Sequence, residues 1–400
     1  MTVSPLDPAW RAARCFVSCR PLGMTATLTA MPPGMSGATV YRLDASESSA
    51  WALKRLPVEA RTSRYLEIHQ ALAHARAGGC RIVPQMSTVD PLGEGHRVGP
   101  SLLDLGADGR WEMSQWMPGR PAWNVEQAER HDEEDLLTCV DIGAEAIARF
   151  HQAFQPPVAA DPELISATLG NKVGIPEAVA QRSRRISLLT QSLKKLLPPD
   201  VSQAAPAAAV WTEAIELLRS EWSSREASMR AVLTRWAERP TPVHMVLRDV
   251  HRDHVLFETQ AGVPTVGGLI DFDALRIDSP AVDLSRWCGS FLWPLKNALV
   301  GGTKLGSAGP LSSTDPAGGF TDLMSAIWSR GMAGYRRICP FSPRQEQLSR
   351  DLVAVSTSIA LANWVTWVVL ERRSFSAGPG VLVRRMEELI WLWRAFADDS

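Results

Sequence analysis

Two aspartates and a histidine stand between residues 246 and 272 among apolar neighbours. The stretch opens Val246-Leu247-Arg248-Asp249 and passes through His254-Val255-Leu256-Phe257. It closes Gly267-Gly268-Leu269-Ile270-Asp271-Phe272. By pattern this is a strand end, a polar loop, a short strand, a Gly/Pro turn and a second strand that stops on an acid. Loops fixed between buried strands are rigid mounts for polar chemistry. Carboxylates mounted this way suit phosphoryl transfer, which needs positioning and charge neutralisation more than covalent chemistry. Asp249, in the first loop, suits the orientation of an attacking hydroxyl. Asp271, at a strand end, suits a carboxylate that holds Mg²⁺. His254, where the loop enters the next strand, is a candidate metal ligand. Taken singly, each has an ordinary use as a turn former or packing residue; the set and its order carry the reading.

Phosphoryl transfer also needs backbone N–H groups and a cation on the phosphates. The β-prone segments Thr25–Thr29 and Thr39–Leu43 flank a hairpin tip that holds Gly34, Ser36 and Gly37. Glycine lets backbone N–H groups approach a phosphate closely. A plain hairpin turn is the simpler alternative, and no P-loop signature is present. The next strand, Ala50–Leu56, carries Lys54 in its middle. Such a lysine either faces solvent or reaches phosphates. Ser63–Ala77 reads as a helix with an apolar stripe, closed by Gly78-Gly79. Glu67 and His69 on it are both candidates to face Lys54.

The elements that would position these residues follow from periodicity. Ile82–Met86, Ser101–Leu105 and Trp111–Trp116 read as strands, and Met117-Pro118-Gly119 turns the chain. A boundary near Gly119 separates a sheet-rich part, residues 1–119, from a helical part, residues 120–400. Residues 1–22 show little periodicity. Asp132–Phe154, Val210–Trp236 and Asp283–Leu295 read as helices, as does most of Phe320–Ala397. Residues 158–205 read as a helical insertion and 301–319 as a Gly/Ser/Pro-rich loop. Leu352–Leu370 is long enough to span a membrane, but its Ser, Thr and Asn content favours a buried core helix.

Composition sets the outer limits. The chain has 400 residues, 45% apolar and 21% charged, enough for two folded parts. A formal net charge of −1 argues against electrostatic capture of nucleic acid or membrane. Six cysteines without a CxxC pair argue against structural zinc and for reduced thiols in a cytoplasmic protein; no secretory leader is read at the N-terminus. Fifteen tryptophans lie mostly in apolar segments and read as core filling.

Together these motifs resemble the aminoglycoside phosphotransferase and choline kinase-like group, which has the protein-kinase-like fold. That group carries a catalytic loop H-G-D-x-x-x-x-N, an apolar strand, and a metal-binding aspartate at a strand end. Here the matching run is Leu247 to Phe257, followed by Leu269-Ile270-Asp271-Phe272-Asp273. Asp278-Ser279-Pro280-Ala281-Val282-Asp283-Leu284 resembles the group's G-D-P-x-x-D-L, and Ala148-Arg149-Phe150-His151 its Leu-His helix. The resemblance implies an α+β, bilobal fold, with a small β-rich N-terminal lobe and a larger helical C-terminal lobe. It implies ATP and Mg²⁺ as cofactors and a small-molecule hydroxyl as acceptor. It gives Asp249 the catalytic role, Asp271 the metal, and Asp283 a brace on the catalytic loop. Lys54 pairs with phosphates covered by Gly34, Ser36 and Gly37. Gln115 and Met117, with Trp116 between them, stand at the hinge where adenine packs.

This sequence departs from the group at several positions. His251-Arg252-Asp253 spells the protein-kinase H-R-D triplet, but that register buries Val255-Leu256-Phe257 inside a loop. The register on Asp249 makes those residues a strand and is preferred. His254 stands where the group has asparagine; imidazole suits Mn²⁺, or a hydrogen bond to metal-bound water, better than Mg²⁺ ligation. Leu247 replaces an architectural histidine. Arg248 replaces glycine and adds a charge able to meet an anionic substrate or the phosphate. The expected function is transfer of the ATP γ-phosphate to a small-molecule hydroxyl. The alternative is a degenerate kinase fold that binds nucleotide or metabolite without turnover. An Ala-Pro-Glu segment is missing after Asp271, which disfavours a protein kinase.

Overall fold

The computed structural model describes residues 4, 7–17, 26–32, 37–46, 49–91, 95–122, 133–155, 172–196, 206–301, 316–373, 375 and 378–398. In chain order the first elements are α1 (Pro8–Arg14), β1 (Thr27–Ala30), β2 (Thr39–Ser46), β3 (Ser49–Arg55), α2 (Thr62–Ala77), β4 (His96–Gly99), β5 (Leu102–Asp104), β6 (Arg110–Gln115) and β7 (Arg120–Pro121). Then come α3 (Glu133–Gln152), β8 (Lys172–Gly174), α4 (Glu177–Leu193), α5 (Pro206–Ala237), β9 (Thr241–Val246), β10 (Val255–Gln260), β11 (Val263–Leu269) and β12 (Arg276–Asp278). The chain ends with α6 (Pro280–Gly289), α7 (Leu292–Gly301), α8 (Pro316–Arg336), α9 (Pro343–Val365) and α10 (Pro379–Asp398). This is an α+β chain with an antiparallel N-terminal sheet and a helical C-terminal part.

Two compact units emerge. The first comprises residues 1–120, 256–273 and 375–377. The β10–β11 segment therefore groups with the N-terminal sheet, although sequence order alone leaves it with the helical part. The main sheet has the order β1-β2-β3-β6-β5-β4. Side chains alternate across it. Leu53 is fully buried against Leu43, Met113 and the small residues of α1, whose Asp7 cap accepts a hydrogen bond from the Ala9 N–H at 2.8 Å. Lys54, one residue on, points to the opposite face. A second sheet, β11-β10-β7, is bent into place at Gly119. Its φ is +98°, and a Cβ there would lie 2.7 Å from the Phe257 carbonyl oxygen, so only glycine fits.

The second unit comprises residues 121–255, 274–374 and 378–400. Its core is aromatic: Trp236, Trp287, Trp328, Trp393, Tyr335, Phe150 and Phe291 are all fully buried. Indole N–H groups need partners when buried. Trp287 donates to the Val140 carbonyl at 2.9 Å, Trp328 to Ser349 Oγ at 2.9 Å and Trp236 to Asp351 Oδ2 at 2.6 Å. Of the tryptophans expected to fill the core, Trp111, Trp222, Trp236, Trp287, Trp328, Trp364 and Trp393 are buried, while Trp10, Trp51, Trp116, Trp211, Trp293, Trp367 and Trp391 are half-buried and Trp123 lies outside the described residues. By length and composition Pro343–Leu370 passes as a membrane span, yet 61% of its most apolar window is buried inside the protein. It begins with a Ser342–Gln345 capping box and packs on α6, which marks a core helix.

Three sequence expectations need correction. Ile82–Met86 forms no strand; its one ladder contact is an isolated bridge from Met86 to Ser114, and the run is spent on turns. Asp283–Leu295 is not one helix but the end of α6 and the start of α7, interrupted at Ser290-Phe291. Residues 316–319 belong to α8, although their Gly-rich composition reads as loop. The α1 helix has no clear sequence signal, because seven residues span barely two turns.

Candidate active site

In the first unit the site is built around Lys54. Strand register sets Lys54 opposite Glu112 of β6, with Nζ 3.9 Å from Oε1. Nζ also donates to both oxygens of Asp273, at 2.8 and 2.9 Å. The Tyr65 hydroxyl reaches Asp273 Oδ2 at 3.3 Å, and an Arg64 Nη2 reaches the Asp273 carbonyl at 3.2 Å. Burial works against the charge on Lys54, but Glu112 and Asp273 more than offset it and hold the ammonium above its ordinary pKa. Burial raises Asp273, and Lys54 only partly counters that. Glu112 is held in turn by His69: Nε2 lies 2.7 Å from Oε2, while Nδ1 lies 2.7 Å from Ser101 Oγ. Burial would raise Glu112, yet the His69 bond and the Lys54 charge keep it below the usual range.

Of the two helix residues expected near Lys54, neither is its direct partner. Glu67 is 66% exposed and pairs with Arg64 at 3.7 Å. His69 acts one step removed, through Glu112. The direct carboxylates come from β6 and from the segment after β11. Sequence order hides both, since Lys54 and Asp273 lie 219 positions apart.

Asp271 lies two residues beyond the end of β11. It is exposed and adopts a left-handed φ of +61°. Aspartate tolerates that conformation better than most residues. An exposed carboxylate is the oxygen donor that Mg²⁺ favours, alongside phosphate oxygens and water. Among the described residues no group of three or more His, Cys, Asp or Glu could hold a metal by itself. That donor set fits a metal carried mainly by a substrate's phosphates. Gly37 has a φ of +72° with open space around its Cα. Gly34 and Ser36 lie outside the described residues. Gln115 donates its N–H to the Gln85 carbonyl at 2.8 Å. Met117 is buried, and Gly268 gives it room: a Cβ there would meet its side chain at 2.5 Å.

The second unit holds Asp249. The loop between β9 and β10 is braced by Asp283, which is fully buried on α6. Its Oδ2 accepts from the Leu247 N–H at 2.7 Å and stands 2.9 Å from His151 Nε2. Its Oδ1 accepts from the Arg248 N–H at 2.5 Å. His151 Nδ1 lies 2.7 Å from the Tyr335 hydroxyl. This is the bracing role that the resemblance implies, with His151 beneath it. Arg248 has a φ of +66° where the group has glycine. A left-handed non-glycine residue costs about 1 kcal/mol, and its anchored N–H and side chain hold it there. The guanidinium turns inward, 3.3 Å from Asp278 Oδ2 and 2.6 Å from Gln181 Oε1. Arg248 is thus engaged within the protein, and the sequence expectation that it meets a substrate anion needs that correction.

Asp249 Oδ1 accepts from Arg286 Nε at 2.9 Å and Nη2 at 2.7 Å. Burial would raise the Asp249 pKa, but the Arg286 and His251 charges bring it below the usual carboxylate range. His254 Nδ1 lies 2.9 Å from the Asp249 carbonyl oxygen, and its ring is 3.8 Å from that of His251. Burial pushes His251 down to about 4, so it is neutral at pH 7. In the H-R-D triplet, Arg252 Nη1 reaches Glu388 Oε1 of α10 at 3.0 Å, while Asp253 is 52% exposed. Strand β10 begins at Val255.

A family model described as "Phosphotransferase enzyme family" matches residues 27–302, more than half of the chain. The chain belongs to the phosphotransferase enzyme family. Solved structures share its fold. One is the amicoumacin kinase hAmiN in complex with AMP-PNP, Ca²⁺ and Ami: 13% identity, 97% of this chain and 93% of that one, TM-score 0.54. Another is spectinomycin phosphotransferase APH(9)-Ia with ADP and spectinomycin: 10% identity, 93% of each chain, TM-score 0.52. A third is an aminoglycoside phosphotransferase from Alicyclobacillus acidocaldarius: 16% identity, 96% and 93%, TM-score 0.50. At such identities the likeness shows the kinase-like phosphotransferase fold alone. A comparison with curated proteins gave no match. Within this family, Glu112, Asp273 and Arg286 are the features that motif reading missed. None has a local signal, because each acts across the fold.

Proposed function

We propose that this chain is an ATP-dependent phosphotransferase that moves the γ-phosphate to a hydroxyl of a small molecule. The nucleotide is assigned to the first unit and the acceptor to the second. The observation that carries the reading is the ion pair between Lys54 and Asp273. It fixes the strand lysine to the segment that carries Asp271, so that both phosphate-facing charges share one frame. Lys54 holds the phosphates, and the Gly34–Ser36–Gly37 turn covers them with backbone N–H groups. Gln115 and Met117 border the adenine. Asp271 holds Mg²⁺, with Mn²⁺ as the alternative; when bound, the metal neutralises charge on the transferring phosphate. Asp249 accepts the hydrogen bond of the acceptor hydroxyl and aims its oxygen at phosphorus. His254, tied to the Asp249 backbone, takes the hydrogen-bonding or metal-ligating role that falls to the asparagine position. A reducing, cytoplasmic setting belongs to the same reading, as six cysteines without a CxxC pair suggest.

A second reading rests on the same loop. His254 replaces the usual asparagine, and Arg286 already occupies Asp249. Both features suit a fold that binds nucleotide without turnover. The test is a thermal-shift titration with ATP plus Mg²⁺ or Mn²⁺, followed by phosphate transfer from γ-labelled ATP into a small-molecule extract. Metal-dependent stabilisation with label in a new compound supports the phosphotransferase. Stabilisation with no label transferred supports the binder.

A further inference from the structure

Near the loop that carries Asp249 the second unit holds three arginines, Arg182 of α4, Arg248 of the loop and Arg286 of α6. They are linked by a chain of contacts. Arg182 Nη1 donates to the Ala178 carbonyl at 3.3 Å, and the Ala178 N–H donates to Asp278 Oδ2 at 3.0 Å. Asp278 pairs with Arg248, whose Nη2 returns to Gln181, the neighbour of Arg182. Arg286 pairs with Asp249, one residue from Arg248. Asp283 is occupied by two backbone N–H groups and His151. Two of the arginines therefore have carboxylates and the third does not. Arg182 donates to neutral oxygens, Ser356 Oγ at 3.0 Å and the Ala178 carbonyl. Among the described residues no carboxylate lies within ion-pair distance of it. Burial, and repulsion from Arg248 and Arg286, push Arg182 down to about 10, against the pull of Asp278. A guanidinium in that setting is stabilised by an anion, and its planar fork suits carboxylate or phosphate.

We propose that Arg182, with Arg286 beside it, forms a subsite for an anionic group of the acceptor, a carboxylate or phosphate carried on the same molecule as the hydroxyl. Asp249 is held by Arg286, which offsets the repulsion between that carboxylate and the anion. The inference rests on the phosphotransferase reading for the word acceptor, and it places the substrate class opposite to polycationic amino sugars. The anion itself does not depend on turnover.

The test is therefore a binding measurement on the full chain. Inorganic phosphate and a non-hydrolysable ATP analogue are titrated separately by calorimetry into wild type, Arg182→Gln, Arg182→Lys and Lys54→Met. The expected result is phosphate binding that Arg182→Gln weakens at least about tenfold, as loss of a charge-assisted bond predicts. Arg182→Lys retains part of it, and analogue affinity is unchanged in both Arg182 variants. Lys54→Met leaves the Arg182-dependent phosphate site intact. Phosphate that fails to bind wild type, or that binds Arg182→Gln as well as wild type, overturns the proposal. Loss of analogue affinity in Arg182→Gln also overturns it, because the arginines would then serve the nucleotide. Anion binding at Arg182 in a chain that transfers no phosphate would sink the phosphotransferase reading and leave the subsite standing.

Discussion

Arg286 grips Asp249 through two nitrogens on one oxygen, Nε at 2.9 Å and Nη2 at 2.7 Å from Oδ1. The carboxylate that would orient the acceptor hydroxyl is thereby aimed and kept ionised. Burial favours its neutral form, and the Arg286 charge beside it is the main influence against this. With Asp249 as the group that meets the acceptor, the acidic limb of the pH–rate profile should fall below the ordinary carboxylate range. Arg286→Gln removes the main opposing charge, so that limb should move to higher pH in kcat/KM. A limb that stays in place would show that Asp249 titration does not govern the rate.

The Lys54–Asp273 pair makes a graded prediction. Asp273→Asn removes the close carboxylate but leaves Glu112 across the strand pair. Its KM for ATP should rise about tenfold, or about 1.4 kcal/mol, while Lys54→Met should lose about a hundredfold in kcat/KM. Steady-state kinetics at saturating metal checks both. An Asp273→Asn enzyme as crippled as Lys54→Met would mean that Glu112 contributes nothing to holding the lysine.

Much of this arrangement is legible in the sequence, and the rest is not, for physical reasons. The loop, β10 and the strand that ends just before Asp271 follow from short apolar runs bounded by polar and acidic residues. The Asp283 brace is what the family resemblance implies, and the Leu247 and Arg248 N–H groups on its carboxylate agree with it. The partner of Lys54 does not follow, because sheet register and chain return decide it: Glu112 is its cross-strand neighbour and Asp273 comes from the far side of the chain. Glu67, at ordinary helical spacing, points instead to Arg64. Ile82–Met86 has a strand's apolar content but lacks a partner strand along its length. Local composition is blind to both facts.

The H-R-D triplet has a structural use that pH can expose. Arg252 and Arg385 hold Glu388, and although burial opposes its charge they bring it down to about 2 from 4.5. A depressed carboxylate stabilises the fold above its unfolded pKa and loses that contribution as pH falls through the folded value. The downward shift is worth about 3 kcal/mol at neutral pH. Glu388→Gln should therefore lower the urea midpoint strongly at pH 7, and the gap to wild type should shrink between pH 4.5 and about 2. A gap independent of pH would assign the loss to packing.

The central claim is that Asp249, not Asp253, meets the acceptor. Asp249 lies on the loop braced by Asp283, and β10 starts at Val255 as the Asp249 register requires. The direct test compares Asp249→Asn with Asp253→Asn, measuring ATP-dependent transfer and analogue affinity on both. Asp249→Asn should lose at least about a thousandfold in transfer with near-normal nucleotide binding, and Asp253→Asn should remain within a few-fold of wild type. Full transfer by Asp249→Asn, or its loss in Asp253→Asn alone, would contradict the account.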